Sequence, residues 1–359
     1  MRDRTELTRP AFAGIASYRP DDSGASIDLS DNTNRWGSPP AAIRELQQTN
    51  ASLARYPNCY SAPLRALLAD YIGVDAANII VGAGSDDVLD AAIRAFGDHG
   101  ELLSFARPSF QMVPVFARMN GLRVASTSFA ANGDIDVDAL LVDDPSIAYV
   151  CSPNNPTGLP IPRTTLERIV ERARGIVLVD EAYAEFAGTS VIDLVARSPR
   201  LVVVRTLSKA WGLAGLRVGY GIAQPSLVSE IEKSRGPFTV SAPSERCAAA
   251  AVAEDRAWMR ARAAAAVESR DRLLDALRAR DYAPLDSAAN FVLLPLLAAR
   301  AAAAALRARG IAVRVFESLD MPNPAILGAG GSALRISVGP WPEMHALLEG
   351  LDAWRAACA

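Results

Sequence analysis

The sequence predicts an α/β protein with two parts: a large domain built on a mostly parallel central sheet, and a smaller α+β domain formed by both termini. Two observations indicate this division. Between about residues 60 and 245, helical patterns alternate with short apolar runs, as in a sheet covered on both faces. Residues 1–45 are polar and rich in turn formers, and the chain after 282 mixes helical and strand patterns. We predict a large domain over 46–281, with 1–45 and 282–359 forming the small domain and an N-terminal arm.

Short apolar runs mark the strands of the predicted central sheet. Helical patterns separate these runs, including 85–96 with Ser85 as its predicted N-cap, and a helix preceded by a capping box of Thr164 and Glu167. An alanine- and arginine-rich helix is predicted from Cys247 to about Asp281. The predicted strands are NIIVG (78–82), ELLSFA (101–106), IAYVC (147–151), GIVLVD (175–180), LVVVR (201–205) and RVGYGI (217–222).

Composition narrows the classes of function. The chain has 359 residues, 50% of them hydrophobic, and a net charge of -3, so we expect a large core and no nucleic-acid partner. The apolar pattern predicts neither a membrane span nor a secretory signal. The four cysteines show no CxxC spacing, and the two histidines, His99 and His345, are far apart. We therefore expect reduced thiols, a cytoplasmic location and no metal site.

Polar side chains follow two of the predicted strands, where the functional residues of open α/β sheets gather. Asp180 ends a strongly apolar strand, where a carboxylate needs a cationic partner, and Tyr183 lies three residues further on. The loop SPNNPTG (152–158) presents Asn154 and Asn155 after the preceding strand. A plain turn and a helix-capping aspartate are the alternative interpretations of these two features.

A third strand is followed by TLSKAWGLAGLR (206–217), which contains Thr206, Ser208, Lys209 and Arg217. Lys209 is one of only two lysines in the chain, beside 35 arginines. Arginine supplies the same charge but cannot condense with a carbonyl, so Lys209 is the candidate for a Schiff base. Two hydroxyls together with an arginine suit a phosphate group.

The loop GAGSDD (82–87) joins a predicted strand to a predicted helix, which suits an anion held by helix N–H groups. It also matches part of the nicotinamide fingerprint GxGxxG, although Asp87 replaces the third glycine and Glu101 would have to be the ribose-binding acid. One ligand accounts for all these features, because pyridoxal 5'-phosphate has a phosphate, an aldehyde, a ring nitrogen and a phenolic oxygen.

The motifs GAGSDD, RPSF, SPNNPTG, VDEAY, TLSKAWGLAGLRVGY and LRISVG, in this order, resemble those of fold-type I aminotransferases that use this cofactor, and in particular the histidinol-phosphate aminotransferase family. The resemblance covers the chain from about residue 18 to its end. It implies the fold of pyridoxal-phosphate (PLP)-dependent transferases, a Lys209 aldimine, and proton transfer by Lys209. It implies further cofactor contacts through Asp180 at the ring nitrogen, Tyr183 and Asn155 at the phenolic oxygen, Phe110 on the ring, and Ser85, Asp86, Thr206, Ser208 and Arg217 at the phosphate.

Partners and substrates also follow from the resemblance. Tyr56 matches a tyrosine that reaches the phosphate of the other subunit's cofactor, which implies a homodimer with shared active sites. Arg335 matches the arginine that clamps the substrate carboxylate, and Asn34 is expected nearby. Arg314 and Tyr18 match residues of the substrate side-chain pocket. Two features depart from the family pattern: NTNRWG (32–37) replaces NENPxG, and the segment 315–334 is longer than usual.

The leading hypothesis is an aminotransferase that moves an amino group from histidinol phosphate or an aromatic amino acid to a 2-oxo acid such as 2-oxoglutarate. A decarboxylase resembling threonine-phosphate decarboxylase is the second hypothesis, because the same motifs serve both reactions. A nicotinamide-dependent dehydrogenase that uses GAGSDD, and a non-catalytic cofactor-binding regulator, are more remote alternatives.

Overall fold

The strands in the described part of the chain form two separate sheets. The computed structural model describes residues 9–12, 15, 17, 24–48 and 54–358. All six predicted central strands are present within one residue or two of their expected bounds. The strands are β1 (Ile27–Leu29), β2 (Ile79–Gly82), β3 (Leu102–Arg107), β4 (Arg123–Ser128), β5 (Ile147–Cys151), β6 (Ile176–Asp180), β7 (Leu201–Thr206), β8 (Gly219–Ala223), β9 (Phe291–Pro295), β10 (Ile311–Phe316) and β11 (Ala333–Ser337).

The central sheet has seven strands in the order β2-β8-β7-β6-β5-β3-β4. Strand β8 runs antiparallel to both β2 and β7, and the other neighbouring pairs are parallel, so the prediction of a mostly parallel sheet is confirmed. Strands β5, β6 and β7 are buried along their whole length because apolar clusters cover both faces. Their carboxyl ends meet at one edge, which brings Asp180 beside Cys151 and next to the end of β7.

The prediction missed strand β4, which lies at the edge of the central sheet. Its side chains are exposed or half-buried, so it lacks the continuous apolar run that identified the other strands. The smaller sheet has the order β1-β10-β11-β9. Strand β1 from the N-terminal region pairs with β10, so both ends of the chain contribute to this sheet, as the sequence predicts. The boundaries at 45/46 and 281/282 stay a prediction.

Three local predictions about helices are wrong. The helix after β2 has Gly84, not Ser85, as its N-cap, because Gly84 adopts a left-handed φ of 89°. No capping box forms at Thr164: this helix begins one residue earlier, and Arg163 binds Glu167 instead. The alanine-rich stretch forms two helices rather than one, with a break at Asp255, whose carboxylate accepts from the backbone N–H of Ala41.

The helices are α1 (Pro40–Gln47), α2 (Ala62–Ile72), α3 (Ser85–Phe96), α4 (Met112–Met119), α5 (Val137–Leu140), α6 (Arg163–Arg172), α7 (Ala184–Ala187), α8 (Pro225–Lys233), α9 (Ala242–Glu254), α10 (Arg256–Arg278), α11 (Ala299–Ala308), α12 (Pro324–Gly328) and α13 (Trp341–Cys358). Across the described ranges, none of them combines the length and the apolarity needed to cross a membrane.

The long segment between β10 and β11 is folded rather than loose. It contains α12, whose N-cap Asn323 accepts from two backbone N–H groups. Leu319, Met321 and Ile326 are buried in the main core. Asp320 forms an ion pair of 2.8 Å with Arg107 at the end of β3. This segment is therefore attached to the central sheet next to RPSF (107–110).

Candidate active site

Asp180 is a buried acid at the carboxyl end of β6, only 4% exposed. The Tyr149 hydroxyl donates to its Oδ2 at 3.0 Å, and the backbone N–H of Ala182 donates to its Oδ1 at 3.1 Å. Burial raises the pKa of the carboxyl from 3.8 to about 6, although both hydrogen bonds oppose the rise. Within the described ranges no lysine or arginine pairs with Asp180, so the cationic partner that the sequence requires is left to a ligand.

Lys209 lies in the loop after β7 and is half-buried. Its Nζ donates to the backbone oxygen of Asp31 at 3.0 Å and lies 6.0 Å from the centre of the Tyr183 ring. Burial, together with the positive charge of Arg335, lowers the pKa of the amine from 10.5 to about 8. About a tenth of the amine is then neutral at pH 7, far more than for an ordinary lysine, and the neutral form is the one that attacks a carbonyl.

Tyr183 is buried and lies three residues after Asp180. Its hydroxyl oxygen accepts from Asn32 Nδ2 at 3.0 Å, and its ring packs edge-on against Phe291. Burial raises the pKa of the phenol above its ordinary value of 10.0, so the group stays protonated at neutral pH. The hydroxyl is thus able to donate its hydrogen to a ligand oxygen.

The start of α3 and the loop before β8 form a tight cradle. A Cβ at Gly84 would lie 2.7 Å from the Arg217 guanidinium, and a Cβ at Gly219 would lie 2.2 Å from the backbone nitrogen of Ser85. Arg217 approaches Asp86 to 3.7 Å and has a left-handed φ of 53°. Burial raises the pKa of Asp86. The cradle therefore offers N–H groups, a hydroxyl and a guanidinium to an anion.

Thr206 and Ser208 lie on the neighbouring strand end and are both buried. The backbone N–H of Ser208 donates to Thr206 Oγ1 at 3.1 Å, which orders the turn that leads to Lys209. These hydroxyls and the α3 cradle come from loops at the same edge of the sheet, as the sequence predicts for an anion site.

Arg335 lies in β11 of the smaller sheet and is 9% exposed. Its guanidinium donates to Asn155 Oδ1 at 2.7 Å and to the backbone oxygen of Ser30 at 2.6 Å. Arg314 lies directly opposite Arg335 in the β10–β11 pairing, so both side chains are on one face of that sheet. No carboxylate pairs with Arg314 in the described part of the chain. Two like charges facing each other favour an anionic ligand between them.

The remaining predicted residues have varied surroundings. Asn154 turns inward and binds the Pro108 oxygen and Thr157, so only Asn155 of the two asparagines reaches the site. Phe110 packs against the core on one side. Tyr56 is 83% exposed and stacks on Phe238. Asn34 binds the backbone at Ala210 and Trp36, beside the Lys209 loop rather than in contact with Arg335. Tyr18 lies outside the described residues.

The departure NTNRWG has a structural explanation. Arg35 forms a two-point ion pair with Glu343 at the start of α13, at 3.0 and 2.9 Å. Trp36 packs against the apolar clusters of both sheets, and Thr33 binds the Asp31 carboxylate. A Cβ at Gly212, in the Lys209 loop, would lie only 2.3 Å from the Gly37 oxygen. The segment therefore packs the smaller sheet against the loop that carries Lys209.

Sequence reasoning missed two residues of the site, Asn32 and Tyr149. Tyr149 lies within an apolar strand pattern, and a tyrosine inside such a run needs a hydrogen-bond partner, which is the signal that identifies it. Asn32 belongs to the motif NTNRWG, which gives no signal of a contact with Tyr183. Its side chain contacts Tyr183, and its backbone N–H donates to Ser337 Oγ at 2.8 Å.

The site fits one cofactor chemistry. It combines a buried acid that pairs with no cation among the described residues, a protonated phenol, an amine whose pKa is lowered, and an anion cradle that a Cβ would fill. These groups match the ring nitrogen, the phenolic oxygen, the aldehyde and the phosphate of pyridoxal phosphate. Fold and site together define an enzyme that uses this cofactor.

Comparison with known proteins supports an enzyme that uses pyridoxal phosphate. The family described as aminotransferase class I and II matches residues 25–351. The aromatic amino acid aminotransferase of Rhodococcus opacus is 35% identical, over 96% of this chain and 95% of that protein. The histidinol-phosphate aminotransferase of Roseiflexus castenholzii is 36% identical, over 96% and 97%. The crystal structure of histidinol-phosphate aminotransferase from Sinorhizobium meliloti with pyridoxal-5'-phosphate superimposes with a TM-score of 0.87 at 25% identity, covering 98% of both chains.

The chain belongs to the class I and II aminotransferase family. It is a pyridoxal-phosphate-dependent aminotransferase with fold type I. This result favours the leading hypothesis over a nicotinamide dehydrogenase, and the glycine loop GAGSDD takes part in the anion cradle instead.

Proposed function

We propose that the protein transfers an amino group from a donor that carries a phosphate, with histidinol phosphate as the first candidate, to a 2-oxo acid such as 2-oxoglutarate. The observation that carries this proposal is the pair of arginines, Arg314 and Arg335, directly opposite each other on β10 and β11. Two guanidinium groups suit a dianionic phosphate better than a single carboxylate. Relatives named for histidinol phosphate are consistent with it.

The residues have separate tasks in this proposal. The bound cofactor supplies an aldehyde for the amine and a ring that stores the electrons of the broken bond. Lys209 holds the aldehyde and later moves the proton at the substrate carbon. Asp180 keeps a proton on the ring nitrogen, Tyr183 and Asn155 bind the phenolic oxygen, and Arg335 orients the substrate anion.

The remaining cofactor contacts complete the proposal. Phe110 covers one face of the ring. The cradle at the start of α3 would hold the phosphate through the backbone N–H groups of Ser85 and Asp86 and the Arg217 guanidinium. The neighbouring hydroxyls of Thr206 and Ser208 would complete the phosphate site.

An aromatic amino acid is the second candidate donor. Phe291 and Phe316 have their ring centres 5.6 and 5.9 Å from the Arg335 guanidinium, so aromatic surface borders the substrate anion site. Relatives named aromatic amino acid aminotransferases support this candidate.

A half-reaction distinguishes the donors. The holoenzyme is mixed with histidinol phosphate, phenylalanine or glutamate, without a 2-oxo acid, and loss of the visible cofactor band is followed. We expect histidinol phosphate to react fastest, and Arg314→Leu to lower its kcat/KM by at least about tenfold while sparing phenylalanine. Equal loss for both donors, or no reaction with histidinol phosphate, contradicts the proposed donor. Release of carbon dioxide instead of amino transfer supports the decarboxylase.

We further infer a homodimer with shared active sites. Tyr56 and Phe238 form an exposed aromatic stack, which a partner subunit would cover. If Tyr56 serves the neighbouring site, mixing inactive Tyr56→Ala and Lys209→Ala subunits restores about a quarter of the activity, because hybrid dimers contain one intact site. No recovery after subunit exchange contradicts the sharing. The cytoplasmic location stays a prediction from the cysteines.

A further inference from the structure

Asn32 lies at a junction between three parts of the chain. It is 1% exposed and has a left-handed φ of 59°, a conformation that asparagine, aspartate and glycine tolerate best. Its backbone N–H donates to Ser337 in β11, and its backbone oxygen accepts from Asn290 Nδ2 at 3.0 Å. Its side chain is thereby held against the Tyr183 hydroxyl.

The hydrogen bonds around Asn32 fix which end of its amide faces Tyr183. The Ser337 hydroxyl donates to Asn32 Oδ1 at 3.2 Å, and Nδ2 then points at the tyrosine oxygen at 3.0 Å. If the amide were reversed, the described contacts would leave the Ser337 hydroxyl without an acceptor. Since Nδ2 only donates, the tyrosine oxygen must accept here and its own hydrogen must point elsewhere.

We propose that Asn32 is a positioning residue that directs the hydrogen of the Tyr183 hydroxyl toward the phenolic oxygen of the bound cofactor. This inference rests on the proposed function, which places the phenolic oxygen beside Tyr183. Asn32 touches neither cofactor nor substrate in this account. It acts by occupying the acceptor position of the hydroxyl, so that donation to the cofactor is the remaining arrangement.

The charged and titratable groups that face Tyr183 come from several elements. Arg335 approaches from β11, Lys209 from the loop after β7, Asp180 from β6 and Cys151 from β5. A change at Asn32 therefore has to be distinguished from a general change of charge. Removing the tyrosine hydroxyl makes that distinction, because an effect carried by the hydroxyl disappears with it.

The test is a pH titration of the visible cofactor band in the holoenzyme. Donation to the phenolic oxygen stabilises its negative charge and weakens its hold on the proton shared with the Lys209 nitrogen. Loss of the donation raises the pH midpoint. We expect Tyr183→Phe to raise it by about one unit, on the scale of one hydrogen bond to a charged group. Asn32→Asp turns an acceptor toward the hydroxyl and should raise the midpoint similarly.

The double variant Asn32→Asp, Tyr183→Phe distinguishes an effect carried by the tyrosine hydroxyl from a charge effect. If Asn32 acts through the hydroxyl, Asn32→Asp adds no further rise in the Tyr183→Phe background. An equal rise in both backgrounds is a charge effect and overturns the inference, as does a folded Asn32→Asp enzyme with the wild-type midpoint. Asn32→Gly, which keeps the backbone conformation, replaces Asn32→Asp if that variant does not fold. A wild-type protein that never forms the band overturns the proposed function and this inference together.

Discussion

Two charged clusters lie on opposite faces of the same two strands. Alternation along β6 and β7 directs Asp180 and Thr206 to one face, and Glu181 and Arg205 to the other. On the second face Arg205 makes two hydrogen bonds of 3.0 and 2.8 Å to Glu181. Ser190 and the backbone N–H of Val191 also donate to Glu181, so this carboxylate is fully bound.

The two clusters differ in how far the charged side chains are paired with other protein groups. Although burial lowers it, the Tyr220, Glu185 and Glu181 groups together raise the pKa of Arg205, which stays charged. In the candidate site, burial raises the pKa of Asp180 and lowers that of Lys209 in the loop after β7, so each charge is disfavoured. Charged groups that are paired with each other support the fold. Groups whose charged forms are disfavoured by burial are instead available to bind a ligand. The following substitutions test this distinction.

The largest effect is expected from Lys209→Ala, which removes the amine that holds the cofactor aldehyde. We expect a loss of amino transfer of at least about 10³-fold, because no other group can supply this nucleophile. The apoprotein should be at least as stable as the wild type, since a desolvated amine is removed. Lys233→Ala, at the only other lysine, is the matched control and should keep full activity. An active Lys209→Ala enzyme contradicts the assignment of Lys209.

Glu181→Ala should lower the stability of the protein but leave cofactor binding intact. Among the described carboxylates it leaves the buried Arg205 with Glu185, at 3.9 Å, and it should lower the free energy of unfolding by about 3–5 kcal/mol. Chemical unfolding of the apoprotein measures this. The protein that remains folded should still form the visible band. Glu230→Gln breaks the exposed pair with Lys233 and should change stability by less than about 1 kcal/mol. Equal effects for both substitutions would show that the Glu181–Arg205 cluster supports the fold no more than an exposed ion pair does.

Asp180→Asn should stabilise the apoprotein in a pH-dependent manner. The folded-state pKa is raised, so the contribution of Asp180 to stability is full below about pH 4 and is lost as pH rises through about 6. The rise corresponds to about 3 kcal/mol, which the variant should gain over the wild type above pH 6. Unfolding measured from pH 4 to 8 tests this, and a constant difference between the two proteins over that range contradicts it. The same variant should bind the cofactor more weakly.

The smallest effect is expected at the ion pair between Arg107 and Asp320, whose side chains are 50% and 60% exposed. Asp320→Asn should change stability by less than about 1 kcal/mol, because solvent screens the pair. The pair links the segment between β10 and β11 to RPSF (107–110), so any effect should fall on KM for the donor rather than on kcat. Steady-state kinetics separate the two. A fall in kcat alone would show that this contact does not serve substrate binding.

The sequence predicted most of the fold because buried parallel strands leave continuous apolar runs. It failed at β4, whose edge position leaves every side chain exposed or half-buried. It also misplaced helix starts, because the φ of Gly84 and the binding of Glu167 by Arg163 depend on local geometry.

In the site, residues directly after strands were found because strand ends meet at one edge. Asn32 was missed as a contact of Tyr183 because 151 residues separate them, and only the folded chain brings them within 3.0 Å. Tyr149 was missed because its partner, Asp180, lies on the neighbouring strand and not nearby in sequence.

Borohydride reduction of the holoenzyme followed by peptide mass mapping tests the assignment of Lys209. We expect a visible band that reduction removes, with the cofactor left covalently attached to Lys209. The Lys209→Ala variant should acquire no adduct. Attachment at Lys233 or at the N-terminal amine, or a folded protein that takes up no pyridoxal phosphate, would show that Lys209 does not hold the cofactor.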